Sequence, residues 1–124
     1  METCNKHPRG LRHIWHTTQT ALAGLRTAWQ HEDAFRQEVL IAVVAIPAAL
    51  LLPVTAISKA LMIASILLVL IVELLNSALE AAVDHTSLER HPLAKRAKDV
   101  ASAAVLLSIV NAVVVWGLVL LGHS

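Results

Sequence analysis

The stretch Glu73-Leu-Leu-Asn-Ser-Ala-Leu-Glu-Ala-Ala-Val-Asp84 decides how this chain is read. It follows residues 60–72, a run without a single charge. The polar residues therefore arrive before a helix of membrane-spanning length has ended. At about 100° per residue, Glu73, Asn76, Ser77, Glu80 and Asp84 fall within roughly 100° of arc on one face. The opposite face stays Leu, Ala and Val. Three carboxylates and an amide in one stripe at the edge of a bilayer are expensive to keep, and ionisable groups at such depth mark functional sites.

Working outward, the apolar residues come in blocks. They make up 56% of 124 residues, a length that predicts one domain, residues 1–124. A soluble domain would spread them with helical periodicity instead. Residues 39–54 are uncharged and contain Pro47; counted from about residue 34, they give a first span near the roughly 20 residues a bilayer needs. Pro53 marks its end, and Pro47 is placed to kink it. A very short loop leads into a second span, about 56–79, which carries the polar stripe at its far end. A charged loop over 84–98, with Pro92 in its middle, precedes the third span, 100–122. Small residues gather where spans two and three must meet: Ser77, Ala78, Ala81 and Ala82 on one, residues 101–104 and Ser108 on the other. Small side chains let membrane helices approach closely. Asn111, in mid-span, reads as an interhelical hydrogen bond.

Ahead of the spans, Leu11, Ile14, Trp15, Thr18, Leu22, Leu25 and Trp29 share one helical face, while Arg12, His16, Gln19 and Arg26 project elsewhere. This predicts an amphipathic helix over about 11–31 lying in the membrane interface. Residues 31–38 form a charged hinge in which Glu32 and Arg36 have the i,i+4 spacing of a helical ion pair. The single Cys4 lies in a polar tail, and its reading is incidental. Residues 1–38 carry no apolar run with a cleavage site of the secretory type. The fold expected is thus an all-α membrane protein: three transmembrane helices and an N-terminal amphipathic surface helix.

Net charge is only +1, but its distribution orients the chain. Lys6, Arg9, Arg12, Arg26 and Arg36 precede the first span; Arg90, Lys95, Arg96 and Lys98 lie between the second and third. Only Lys59 lies between the first and second, and no Lys or Arg follows the third. The positive-inside rule then puts the N-terminus and the 84–99 loop in the cytoplasm and the C-terminus outside.

A site on the cytoplasmic side would meet solutes and lipid head groups together. Carboxylates with an Asn are hard oxygen ligands that suit phosphate-bound Mg²⁺. Lys98 and Arg96 can hold anionic oxygens, and a carboxylate can take the proton of an attacking hydroxyl. The signatures GxxxxGK[ST] and GxGxxG are absent. His13 and His16 are spaced i,i+3, but no third ligand accompanies them.

The 73–84 stretch resembles the signature of the small prokaryotic diacylglycerol kinase family of integral membrane enzymes. Three more blocks agree in order and spacing: Gly24-Leu-Arg-Thr-Ala-Trp29, Glu32-Asp-Ala-Phe-Arg-Gln-Glu38 and Ala97-Lys-Asp-Val-Ala-Ser-Ala-Ala-Val105. The resemblance covers roughly residues 11–122. It implies a homotrimer in the bacterial inner membrane, with sites shared between protomers. It also implies ATP-dependent phosphorylation of diacylglycerol to phosphatidic acid with Mg²⁺. Residue by residue, Glu73 matches the general base, with Asn76 beside it in the motif, and Glu32 and Glu80 match the carboxylates holding the metal. Lys98 and Asp99 match nucleotide contacts, Glu89, Arg90 and His91 lie where a loop closes over the nucleotide, and Arg36, Glu73 and Ser102 match the lipid side. The chain departs from the best-known members at His13, Thr20 and Leu51, where those carry Arg, Tyr and Trp.

Two alternatives are set beside this reading. An undecaprenol kinase of the same family would run the same chemistry on a polyprenol; the length and the 97–99 and 34–38 blocks resemble the diacylglycerol type more. A small ion channel or transporter would use the stripe as a cation path, but a pore needs polar lining through the full membrane depth. Here the polar groups crowd one end. Reporter fusions after residue 57 and after His123 are expected to read external, and one after residue 90 internal. A cytoplasmic C-terminal reporter would rule this topology out.

Overall fold

A computed structural model describes residues 10–86 and 92–122, with Thr86 described in its backbone alone. The described residues form four helices: α1 (Leu11–His31), α2 (Asp33–Leu51), α3 (Ala56–Thr86) and α4 (Pro92–Gly122). The last three are long and apolar enough to cross a membrane.

α1 and α2 are divided by one residue. Glu32 is extended at φ −119° and ψ 107°, closing α1 through its N–H on the Ala28 carbonyl (2.9 Å) and opening α2 through its own carbonyl, which accepts from the Arg36 N–H (3.2 Å). The expected Glu32–Arg36 ion pair does not form. With Glu32 at the hinge rather than in a helix, Arg36 pairs with Asp33, and its Nη1 donates to the Trp29 carbonyl (2.7 Å) and the Gln30 carbonyl (3.3 Å). Arg36 thus clasps the C-terminal end of α1, where a cation suits the unpaired carbonyls.

At the other end, Leu52 ends α2 just before Pro53, and Thr55 caps α3: its Oγ1 accepts the Ser58 N–H (3.1 Å). Lys59 Nζ donates to the Leu50 carbonyl (2.8 Å), so the one basic residue of this loop closes the end of α2.

Packing follows a heptad-like seam. On α2 the buried positions are Phe35, Ala42 and Ala49; on α3 they are Met62, Ser65, Val69 and Glu73; on α4, Ser108 is buried. The spacing repeats about every three and four residues, the period of a helix face. Ala42, Ala49, Ser65 and Ser108 are small, which lets the backbones approach where no hydrophobic effect draws helices together. The two serines satisfy themselves locally: Ser65 Oγ donates to the Met62 carbonyl and Ser108 Oγ to the Val105 carbonyl, both at 2.7 Å. The Met62 carbonyl also accepts from Trp116 Nε1 (3.1 Å), a hydrogen bond that ties α4 to α3. Asn111, expected to make such a bond, stands exposed on α4.

α3 and α4 outrun the expected spans. Each has 31 residues, about 46 Å at 1.5 Å per residue, against a hydrocarbon core of about 30 Å. The loop expected over 84–98 is therefore mostly helix, and Pro92 opens α4 in the first-turn position where its missing N–H breaks no bond. The apolar side chains of α1, including Leu11, Ile14, Trp15 and Leu22, remain uncovered by the chain itself.

Ala49 is fully buried in the seam. Ala49→Leu is expected to lower unfolding stability in detergent micelles by about 1–3 kcal/mol through overpacking. Unchanged stability would show that the seam is not packed as described.

Candidate active site

The α3 seam explains how a carboxylate comes to be buried. Met62, Ser65 and Val69 set a register whose next member is Glu73, and Glu73 is only 5% exposed. Asn76, Ser77 and Glu80 follow as partly covered residues and Asp84 as an exposed one, all within the uninterrupted helix. The stripe read from the sequence is thus one continuous face, running from the buried seam to the exposed helix end.

Two side chains meet the Glu73 carboxyl. One is Asn76, one turn along α3; the other is Glu38, brought across from α2. Glu32 and Glu80 lie close enough for their charges to act on Glu73. Glu38 was not singled out in the sequence, although a signal was there: it is the last charge before the uncharged run 39–54, as Glu73 is the first after 60–72. Glu38 thus adds a second carboxyl beside Glu73, from a different helix.

Three buried oxygens here have no hydrogen-bond partner among the described residues: Glu38 Oε1, Asn76 Oδ1 and Ser77 Oγ. Such atoms are costly in a water-poor setting, and all three belong to this one end of the α2–α3 pair.

The cationic part lies at the start of α4. Lys98 Nζ sits 2.6 Å from Asp84 Oδ1, and Glu80 acts on it electrostatically. Asp99 faces the other way along α4 and pairs with Lys95 at 2.7 Å. Ser102 is exposed on α4, and Arg36 is engaged at the α1–α2 hinge. The structure thus gathers Glu32, Glu73, Asn76, Glu80 and Lys98 around one end of α3. The side chains of Asp99, Ser102 and Arg36 make no hydrogen bond or ion pair with the side chains of that group. Glu89, Arg90 and His91 lie outside the described residues.

Beside the carboxylates, an apolar recess of about 460 Å³ opens between α2, α3 and α4. Ile41, Ala45, Ile66, Val69, Val113 and Trp116 line it, and Glu38 is its one charged residue. A second recess, between Pro53–Thr55 and Leu118–Gly122, lies at the opposite end, and none of the described residues lining it is ionisable.

Among the described residues, no three His, Cys, Asp or Glu side chains gather tightly enough to cage a metal ion. Mg²⁺ does not require a cage: one or two carboxylates plus substrate phosphates suffice. Glu32 and Glu80 both lie close enough to act on Glu73, and their carboxylates are hard oxygen donors of the kind this ion takes.

The sequence pattern of the prokaryotic diacylglycerol kinase family matches residues 19–120. The diacylglycerol kinase of Pseudomonas aeruginosa is 54% identical over 117 residues, covering 94% of this chain and 95% of that protein. That of Escherichia coli K12 is 51% identical over 100 residues, 81% and 82% of the two chains. That of Helicobacter pylori is 41% identical over 113 residues, 91% and 88%.

Proposed function

The chain belongs to the prokaryotic diacylglycerol kinase family and is a lipid kinase, and we propose that it transfers the γ-phosphoryl group of ATP directly to the hydroxyl of diacylglycerol. The products are phosphatidic acid and ADP. The observation that carries the proposal is Glu73, a carboxylate buried in a membrane-helix seam and ringed by further carboxylates at one end only.

Depth sorts the roles along α3. Glu80 lies about 10 Å beyond Glu73 along the helix axis, toward the exposed end. Phosphates stay toward water and a lipid hydroxyl approaches from the membrane, so Glu73 faces the hydroxyl and Glu80 the phosphates. The recess on α2, α3 and α4 suits an acyl chain, with its polar end at Glu38, the carboxylate that meets Glu73. Glu73 takes the hydroxyl proton as the lipid oxygen bonds to the γ-phosphorus and the bond from that phosphorus to the ADP oxygen breaks. Asn76 holds the Glu73 carboxyl in place. Lys98 holds phosphate oxygens; Asp99, Glu89, Arg90 and His91 complete the nucleotide side, and Arg36 and Ser102 the lipid side. Glu32 and Glu80 would hold Mg²⁺, which, when bound, neutralises charge on the phosphates.

The assembly we propose is a homotrimer in the inner membrane with sites shared between protomers. The large uncovered apolar surface of α4, including Leu106, Leu107, Val113 and Leu118, supports burial against lipid and further copies. The N-terminus is cytoplasmic and the C-terminus external.

Glu73→Gln is expected to fold and bind MgATP nearly normally while losing phosphoryl transfer by about 10²–10⁴-fold. Affinity and turnover are measured on the same purified variant. Near-normal turnover would exclude Glu73 as the base, and lost MgATP binding would move it to the metal. Glu32→Gln and Glu80→Gln are expected to lose turnover and Mg²⁺-dependent ATP binding together. Full activity of either at ordinary Mg²⁺ would remove that residue from the metal site.

A further inference from the structure

Asp84 is the one charged member of the polar stripe to which the proposed reaction gives no task. Its geometry is nonetheless specific. Its Oδ1 lies 2.6 Å from Lys98 Nζ, and this contact crosses from the last turns of α3 to the first turns of α4. The other ion pairs among the described residues are local, Asp33–Arg36 at i,i+3 and Lys95–Asp99 at i,i+4. Asp84–Lys98 is therefore the ion pair among them that fixes one helix against another, and it brackets residues 87–91.

Lys98 pairs with Asp84 and also feels the charge of Glu80, one helical turn back along α3. In the proposed reaction Glu80 is committed to Mg²⁺, and its charge is no longer free to hold Lys98. Asp84 then remains. An ammonium has three N–H donors: with one on Asp84, two are left for phosphate oxygens. A lysine side chain is otherwise a flexible four-carbon stem with much rotamer freedom to lose on binding.

We infer that Asp84 is a positioning residue for nucleotide binding, holding the Lys98 ammonium at the α3–α4 junction so that it meets the ATP phosphates already oriented. This inference rests on the assignment of Lys98 to the nucleotide. Lys98 and Asp84 side chains are 40% and 63% exposed, and solvent weakens such pairs. The effect is accordingly modest and falls on nucleotide affinity.

The test compares steady-state kinetics of the purified full chain with wild type, varying MgATP and diacylglycerol in mixed micelles. Asp84→Asn is expected to raise the MgATP KM about two- to fivefold, to lower kcat less than twofold, and to leave the lipid KM in place. Asp84→Glu is expected to restore most of the MgATP KM. In a Lys98→Met background, itself raised in KM, Asp84→Asn is expected to add nothing, because the pair acts as a unit. A merely structural role would move both substrates' KM alike and persist without Lys98. A fall in the MgATP KM on Asp84→Asn would overturn the inference, showing that the pair withholds Lys98 instead. An unchanged KM in Lys98→Met would overturn it too, through the nucleotide assignment, while retained lipid phosphorylation in that variant would leave the kinase reading standing.

Discussion

A carboxylate held in the packed seam of a membrane helix is the constraint around which this molecule is arranged. An isolated ionised carboxylate in such a place is disfavoured by many kcal/mol, so Glu73 requires partners. The fold supplies them from two directions. Asn76 comes from the same helix one turn on, and Glu38 from α2. Glu38 would not reach Glu73 unless α2 and α3 lay close, which the small and self-satisfied side chains Ala42, Ala49 and Ser65 permit. Seam packing and site chemistry are in this sense one arrangement: Glu73 occupies the position that Met62, Ser65 and Val69 prepare.

Among the described residues, the buried and half-covered carboxylates are crowded to one end. The opposite end is closed by short-range devices, the Thr55 cap and the Lys59 bond to the end of α2, and the described residues that line its recess carry no charge. At the reactive end, α3 and α4 continue past the depth a bilayer requires, carrying Glu80, Asp84 and Lys98 toward water while Glu73 stays in the seam. That gradient along one helix face is what two substrates of opposite character need. A nucleotide can approach the outer carboxylates and the lysine, and a lipid can approach the inner ones from the apolar recess.

Most of this was legible in the sequence because hydropathy blocks and the 100° helical period act over many residues at once. The three spans and the helical face of the 73–84 stripe rest on such sums. What escaped depends on single backbone torsions or on contacts between distant residues. Glu32 was read as an ion-pair partner of Arg36, yet one extended residue between α1 and α2 removes it from the helix and gives Arg36 to Asp33. The charges at 84–98 suggested a loop, but residues beyond the bilayer remain helical, and Pro92 starts a helix as readily as it breaks one. Glu38 belonged to a charged segment that reads as solvated; only the crossing of α2 over α3 places it against Glu73. The Asp84–Lys98 pair likewise depends on how two helices meet. Of the residues expected at the site, Glu89, Arg90 and His91 lie outside the described residues.

The central claim is that a lipid hydroxyl, and not water or an ion path, is what meets the buried carboxylate. It is tested most directly by incubating the purified chain with γ-labelled ATP and diacylglycerol in mixed micelles, with Mg²⁺ and with the metal chelated, and following where the label goes. The account requires label in phosphatidic acid, formed with Mg²⁺ and lost on chelation. Label found only in inorganic phosphate, or none transferred while vesicles holding the protein pass cations, would contradict it.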